Sequence, residues 1–360
     1  MTERNNITSR QLAIYILTAQ IGFGVLTLPS TLAQDVGHDG WISILAAGIV
    51  SSLAIVLIVL LLQKYPGKSI LTINRYLFGE FLGKGLNLFL VLYLGFLTVA
   101  AFRVFTEFIT LYTLDLTPTF IVAVLIAMPT VYLVWYGLKP LVQFSYFIFV
   151  VLFFIFVLAL LVANKIRLTF LMPVGAAGIS SLVKSTGTTF LAYIGLELVV
   201  FVYPYVADKK NTMKWALAAN LTSTAFFALV FLATTGLFGE NLLKSQTIPL
   251  FELSRYYRMP FIERTDLLFI LLWFPLLEGT FLAYSFAAWD SLRRVFRVKN
   301  KRLFFPFFIV AAVLLSRIPS DLVEASQTTD IVNIGGITVI SFLIVCYLFS
   351  FINRRGVKTR

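Results

Sequence analysis

The chain has 360 residues, of which 59% are hydrophobic and 13% charged, with a mean hydropathy of +0.91. Soluble domains are nearer roughly 45–50% apolar and about 25% charged, so a soluble globular protein, a disordered chain and a fibrous repeat are excluded. The net charge of +12 invites a nucleic-acid partner, but the charges lie scattered between apolar runs, and no nucleic acid is expected.

In chain order, apolar spans fall near 11–35, 41–63, 84–112, 118–136, 141–163, 179–205, 214–238, 265–290, 303–318 and 331–352. Each reaches or approaches the roughly 20 residues that cross a hydrocarbon core about 30 Å thick. The expectation is an all-α polytopic membrane protein with ten transmembrane helices in a single transmembrane domain over 1–360. With the N-terminus inside, twenty of the 29 Lys and Arg residues fall in cytoplasmic segments and seven outside, while Arg103 and Lys184 fall within spans. That asymmetry is the positive-inside rule. It places both termini in the cytoplasm and the basic residues against anionic membrane lipid.

The first span does not read as a cleaved signal peptide, because it continues through Gly22, Gly24 and Pro29 without a small-residue cleavage site. Its segment Thr18-Ala19-Gln20-Ile21-Gly22-Phe23-Gly24 puts two glycines mid-membrane, each costing about 1 kcal/mol in a helix relative to alanine. Both are read as positions where backbone must approach a ligand closely. The sixth span, through Leu191-Ala192-Tyr193-Ile194-Gly195-Leu196-Glu197, repeats the pattern Ala-x-Ile-Gly at an offset of 173 residues, close to half the chain. Either motif alone is explained by helix packing. Interruptions at matching places in two halves point instead to a 5+5 inverted repeat around a central site, repeat one about 8–163 and repeat two about 176–353. An unwound turn frees N–H and C=O groups that lipid cannot satisfy. A polar ligand can, and helix N-termini favour a carboxylate. The ligand-binding candidates are therefore Ile21, Gly22, Phe23 and Gly24, with Tyr193, Ile194, Gly195 and Leu196.

Charges inside spans are functional hypotheses by default. Arg103 and Glu107 stand four apart in span 3, share a helix face and can pair. A lone charge at depth costs at least about 2.5–3.5 kcal/mol, so a structural ion pair is the first reading. Glu197 can bind a cation or a ligand amine, or hydrogen-bond the broken backbone beside it. Glu278, next to Gly279 and Thr280 in span 8, is a candidate for protonation. Lys184, near an outer end, is expected to snorkel. The stretch 239–264, with Pro249, Phe251, Tyr256, Tyr257 and Pro260, reads as a lid over the outer vestibule or as a docking surface. Cys346 and His38 each stand alone, which excludes an intrachain disulfide and argues against a thiolate or histidine metal site. No phosphate-binding glycine motif stands in strand-to-helix context. No nucleophile is paired with a base, so neither a cofactor nor an enzyme is expected.

Several motifs carry a family resemblance. They are Arg103-Val104-Phe105-Thr106-Glu107-Phe108, Leu116-Thr117-Pro118-Thr119, Pro204-Tyr205-Val206-Ala207-Asp208-Lys209-Lys210 and Phe238-Gly239-Glu240. Glu263-Arg264-Thr265-Asp266-Leu267-Leu268-Phe269 with Trp273 is the most specific, whereas Ile21 to Pro29 is shared more widely among transporters of this fold. Over nearly its whole length the chain resembles the B subunits of spore germinant receptors, a branch of the amino acid-polyamine-organocation transporters. The resemblance implies a leucine-transporter-like fold with broken helices 1 and 6. It implies a complex with germinant-receptor A and C subunits in the spore inner membrane. It also implies a small nutrient germinant, an amino acid first among the candidates, bound mid-membrane to trigger germination. Spans 3 and 8 flank the broken helices in that architecture, which adds Tyr93, Leu97, Thr280 and Tyr284 to the ligand-binding candidates. Some transporters of this superfamily carry a lysine in span 5 that replaces a sodium ion. Span 5 here has none, which leaves the coupling ion unassigned. The alternative function is an ion-coupled amino-acid transporter or permease.

Overall fold

The structure is a computed structural model, and it describes residues 6–22, 24–161, 163–256, 265–318 and 322–352. Its helices are α1 (Ser9–Gln20), α2 (Gly24–Val36), α3 (Gly40–Lys64), α4 (Ile70–Tyr112), α5 (Thr119–Tyr136), α6 (Leu138–Leu161) and α7 (Ile179–Phe190). They continue with α8 (Leu198–Val202), α9 (Thr212–Leu243), α10 (Pro249–Tyr256), α11 (Thr265–Val295), α12 (Lys301–Leu315) and α13 (Leu322–Ile352). Among the described residues the only strand-like pairing is a single bridge between Ile7 and Val206.

The ten apolar spans map onto these helices, the first onto α1–α2 and the sixth onto α7–α8. Eight helical stretches among the described residues are long and apolar enough to cross a membrane. The difference from ten has two sources. One stretch runs from Gly24 to Lys64 and so takes in half of span 1 together with span 2. The other is α12, which at 15 residues falls short on length.

Helix α1 shows how local chemistry fixes a start and tertiary packing does the rest. Thr8 caps it, its hydroxyl accepting from Gln11 N at 3.2 Å while Gln11 Oε1 accepts from Thr8 N at 2.8 Å. This reciprocal box satisfies two orphan donors. From Leu12 to Gln20 every residue is buried, as expected for a helix surrounded by others rather than one facing lipid. It packs against α6, α9 and α11. By contrast, α5, α6 and α12 carry exposed Phe120, Phe153, Phe154 and Phe307 on the faces left for hydrocarbon.

The start of span 1 and the end of span 6 are tied together. Ile7 N donates to Tyr205 O at 3.0 Å and Ala207 N to Ile7 O at 2.9 Å. Ser9 donates from both its backbone N–H and its hydroxyl to the Asp208 carboxylate, each at 2.6 Å. Tyr205 OH and Arg294 then converge on Asp290 of α11, at 2.8 and 2.7 Å. The motif Pro204 to Lys210 therefore closes the end of the bundle at which span 1 starts and span 6 ends.

Candidate ligand site at the paired helix breaks

In span 1 the helical ladder ends where Ile21 N reaches Leu17 O at 3.0 Å, and it resumes at Gly24. The carbonyl of Thr18, left without its helical donor, accepts Thr280 Oγ1 at 3.2 Å. Gly22 allows this approach, because a Cβ there would overlap that same hydroxyl. Gly24 behaves differently. It is exposed, and a Cβ on it would meet nothing within 4 Å. At Gly22 the group that approaches closely is therefore the Thr280 hydroxyl, whereas Gly24 borders open space at the N-terminus of α2. The leading N–H groups of that helix have no preceding turn to bond to. Ile21 is buried, and Phe23 lies outside the described residues.

Span 6 breaks between α7 and α8 at Gly195, whose φ of +121° is open to glycine and strained for other residues. Here the freed backbone is satisfied from within the protein. Glu197 folds back so that its Oε2 accepts from Gly195 N at 2.8 Å. Its Oε1 accepts from Tyr93 OH at 3.0 Å and Tyr284 OH at 3.4 Å. Of the two readings of Glu197, this geometry takes the hydrogen bond to broken backbone. The carbonyl of Tyr193 accepts from Gln20 Nε2 at 3.3 Å, which links the two breaks directly. The Tyr193 hydroxyl bonds Ile44 O at 3.0 Å and Thr224 Oγ1 at 3.1 Å, so its ring points toward α3 and α9. Leu196 is buried and Ile194 half-buried. Tyr93 and Tyr284 are brought together by Glu197, Leu97 is buried one turn from Tyr93, and Thr280 is half-buried at the span 1 break.

A polar cluster behind the breaks is absent from the sequence-based set. Ser223 Oγ donates to Gln20 Oε1 at 2.7 Å, and Gln20 Nε2 reaches Asn220 Oδ1 at 3.3 Å. Asn220 Nδ2 in turn donates to Gly48 O, Ser51 Oγ and Ser52 Oγ. The available signal was a lone Asn inside span 7, since a buried amide needs partners.

Arg103 and Glu107 do pair, at 3.1 Å, with side chains 8% and 17% exposed. Lys184 is exposed. Glu278 is buried on α11, and Thr130 Oγ1 of α5 donates to its Oε1 at 2.6 Å. Within the stretch 239–264, α10 packs on α2, α9 and α11 and buries Pro249, Leu250, Phe251 and Leu253. Tyr257 and Pro260 lie outside the described residues, as do Glu263 and Arg264 of the family motif.

Between α2 and α3, His38 joins three segments. Its Nδ1 lies 2.9 Å from Glu240 Oε2 and its Nε2 lies 2.7 Å from Pro173 O. Both partners only accept, and a neutral imidazole has one N–H, so both bonds form only with the imidazolium. Burial disfavours that charge. The bonds to Pro173 and Glu240, with the charges of Asp39 and Glu240, outweigh it and hold the ring above its ordinary value. A raised folded value means that the stabilisation is complete below the unfolded histidine value of about 6.5 and is lost as pH rises through the folded one. The unfolding midpoint of the purified chain is therefore expected to fall from mildly acid to mildly alkaline pH. His38→Ala is expected to flatten that slope; an unchanged slope would show that His38 is not its source.

With this geometry in view, comparisons with known proteins fix the fold and the family. The crystal structure of MhsT in complex with L-phenylalanine superposes over 98% of this chain and 92% of its own, with a TM-score of 0.69 at 14% identity. Mhp1, a nucleobase-cation-symport-1 family transporter solved closed with bromovinylhydantoin, superposes over 98% and 80%, with a TM-score of 0.67 at 12% identity. The fold is leucine-transporter-like. In sequence, spore germination protein B2 of Bacillus subtilis (strain 168) is 28% identical over 358 residues, covering 98% of this chain and 97% of that protein. Spore germination protein YndE of the same organism is 27% identical over 316 residues, 86% of each chain. The spore germination protein family pattern matches residues 6–325, a run that contains both helix breaks and the closure at Pro204 to Lys210. On that match the chain, a multi-pass membrane protein, belongs to the spore germination protein family.

Proposed function

We propose that this chain is the integral membrane subunit of a spore germinant receptor, binding a small nutrient germinant at the helix breaks and triggering germination. The observation that carries the reading is the open space at Gly24, at the freed N-terminus of α2 and two residues on from Gly22, where the Thr280 hydroxyl sits. In this reading the first N–H groups of α2 take the germinant carboxylate. Its side chain faces Leu97, Thr280 and the Tyr93–Tyr284 pair, with Ile194 at the margin. An amino acid fits that combination of an anion site and apolar walls, and the related fold of MhsT was solved with L-phenylalanine. Because the polar groups of Tyr193 to Leu196 are taken up by Glu197, Gln20, α3 and α9, recognition rests mainly on span 1 and α11.

The partners in this reading are germinant-receptor A and C subunits, the membrane is the spore inner membrane, and both termini are cytoplasmic. Cysteine labelling in intact cells tests the topology. A residue in the 293–302 loop should be shielded from outside reagent, and labelling there would contradict the orientation. Function is tested by germinating spores that lack only this gene on a panel of amino acids, sugars and nucleosides. Selective loss of response to one or more amino acids is expected; an unchanged response to the whole panel would overturn the proposal. The transporter reading draws on the two solved neighbours. Robust uphill uptake of an amino acid by this chain alone in proteoliposomes would favour it.

A further inference from the structure

The intramembrane carboxylates are held in contrasting ways. Glu107 faces the Arg103 guanidinium. Glu197 accepts from one backbone N–H and two phenols. Asp290, at the inner end of α11, takes Arg293, Arg294 and Tyr205. Each of the three has an opposite charge or several donors against its oxygens. Glu278 has neither. It is 1% exposed, it has one hydroxyl donor, and its Oε2 is buried without any hydrogen-bond partner. No Lys, Arg or His among the described residues forms an ion pair with it. Several titratable and charged groups on the elements packed against α11 are engaged elsewhere, and others are exposed. Arg103 and Glu107 of α4 hold each other, Tyr93 of α4 is on Glu197, and Tyr15 of α1 donates to Ala283 O. On α10, Glu252 and Arg255 also pair with each other. On α5, Tyr132 and Tyr136 are exposed, and on α6 Lys139 stands at the first turn.

A bare carboxylate in that position would leave a charge in low dielectric with a single donor, whereas a neutral acid leaves at most one O–H unmade. We propose that Glu278 is a proton-binding site, loaded in the state described, and that its occupancy is linked to the break in span 1. The link is covalent and short. The next residue, Gly279, lies against the side chains of Thr18 and Ile148, and the one after, Thr280, bonds the Thr18 carbonyl. A single turn of α11 therefore carries the proton site, held by Thr130 of α5, and touches the broken helix at α1. Any shift of that turn which brings Glu278 to a better donor also moves the Thr280 contact. Coupling of this kind is reciprocal, so a change at the break must change proton affinity. The link to ligand, though not the proton site itself, rests on the germinant reading above.

Infrared spectroscopy of the purified full chain in lipid nanodiscs tests this without any ligand. At neutral pH the wild type should show a protonated-carboxyl C=O band that Glu278→Gln removes. Thr130→Val, which leaves Glu278 in place and deletes its one donor, should shift the same band and serves if Glu278→Gln fails to accumulate. Thr280→Val, which cuts the contact with Thr18, should also displace the band. If no band is lost or shifted in Glu278→Gln or Thr130→Val, the proton site is overturned. A band present but unmoved by Thr280→Val overturns the link to span 1. A failed germinant reading would appear in the spore assay and leave these bands as they are.

Discussion

Replacing Glu197 with alanine should remove most of the protein from the membrane. The substitution strands Gly195 N, Tyr93 OH and Tyr284 OH, all buried, at one stroke. Each buried donor left unsatisfied costs about 1–3 kcal/mol, so a loss of roughly 3–9 kcal/mol is expected, against total stabilities of about 5–15 kcal/mol. Glu197→Gln keeps an acceptor oxygen for the phenols and should retain more protein. Immunoblots of membrane fractions and thermal unfolding of the purified variants check both. Normal abundance of Glu197→Ala would mean that the span 6 break is held by something other than this carboxylate.

Arg103→Ala is expected to have an effect of similar size through a different cause. It leaves the Glu107 carboxylate without its counter-ion in a mostly buried setting. Removing one partner of a buried pair costs about 3–5 kcal/mol, whereas replacing both with neutral residues of similar volume is often close to harmless. Protein abundance should therefore drop in Arg103→Ala and recover in the pair Arg103→Met with Glu107→Gln. If the double variant is no better than the single one, the ion pair is not what Arg103 contributes.

Much of the fold was readable from the chain because lipid imposes few solutions. Apolar runs of helix length, punctuated by basic loops, leave little choice, and glycines placed against helix propensity marked both breaks. Contacts across space were less readable. Gly22 and Gly24 look alike in sequence, yet only Gly22 has Thr280 against its Cα. Helical spacing could not orient Tyr193, because the chain there is no longer an α-helix, and its hydroxyl turns to α3 and α9. Glu197 was evenly poised between two roles until the φ of Gly195 brought its N–H onto the carboxylate. Gln20 and Asn220 escaped notice since neutral amides carry no charge to flag them, although they join the two broken spans to α3 and α9. Arg103 and Glu107 were legible as a pair because their spacing fixes a shared face whatever surrounds them.

The central claim, that germinant binds at the span 1 break, is tested most directly by germination dose–response curves of spores carrying Gly24→Ala or Thr280→Ala, read beside immunoblots. A Cβ on Gly24 meets open space, so Gly24→Ala should accumulate normally and shift the midpoint to higher germinant concentration. Loss of the Thr280 hydroxyl should shift it by about one hydrogen bond, roughly 0.5–1.5 kcal/mol, or a few-fold in concentration. Midpoints unmoved in both variants at normal abundance would contradict the site.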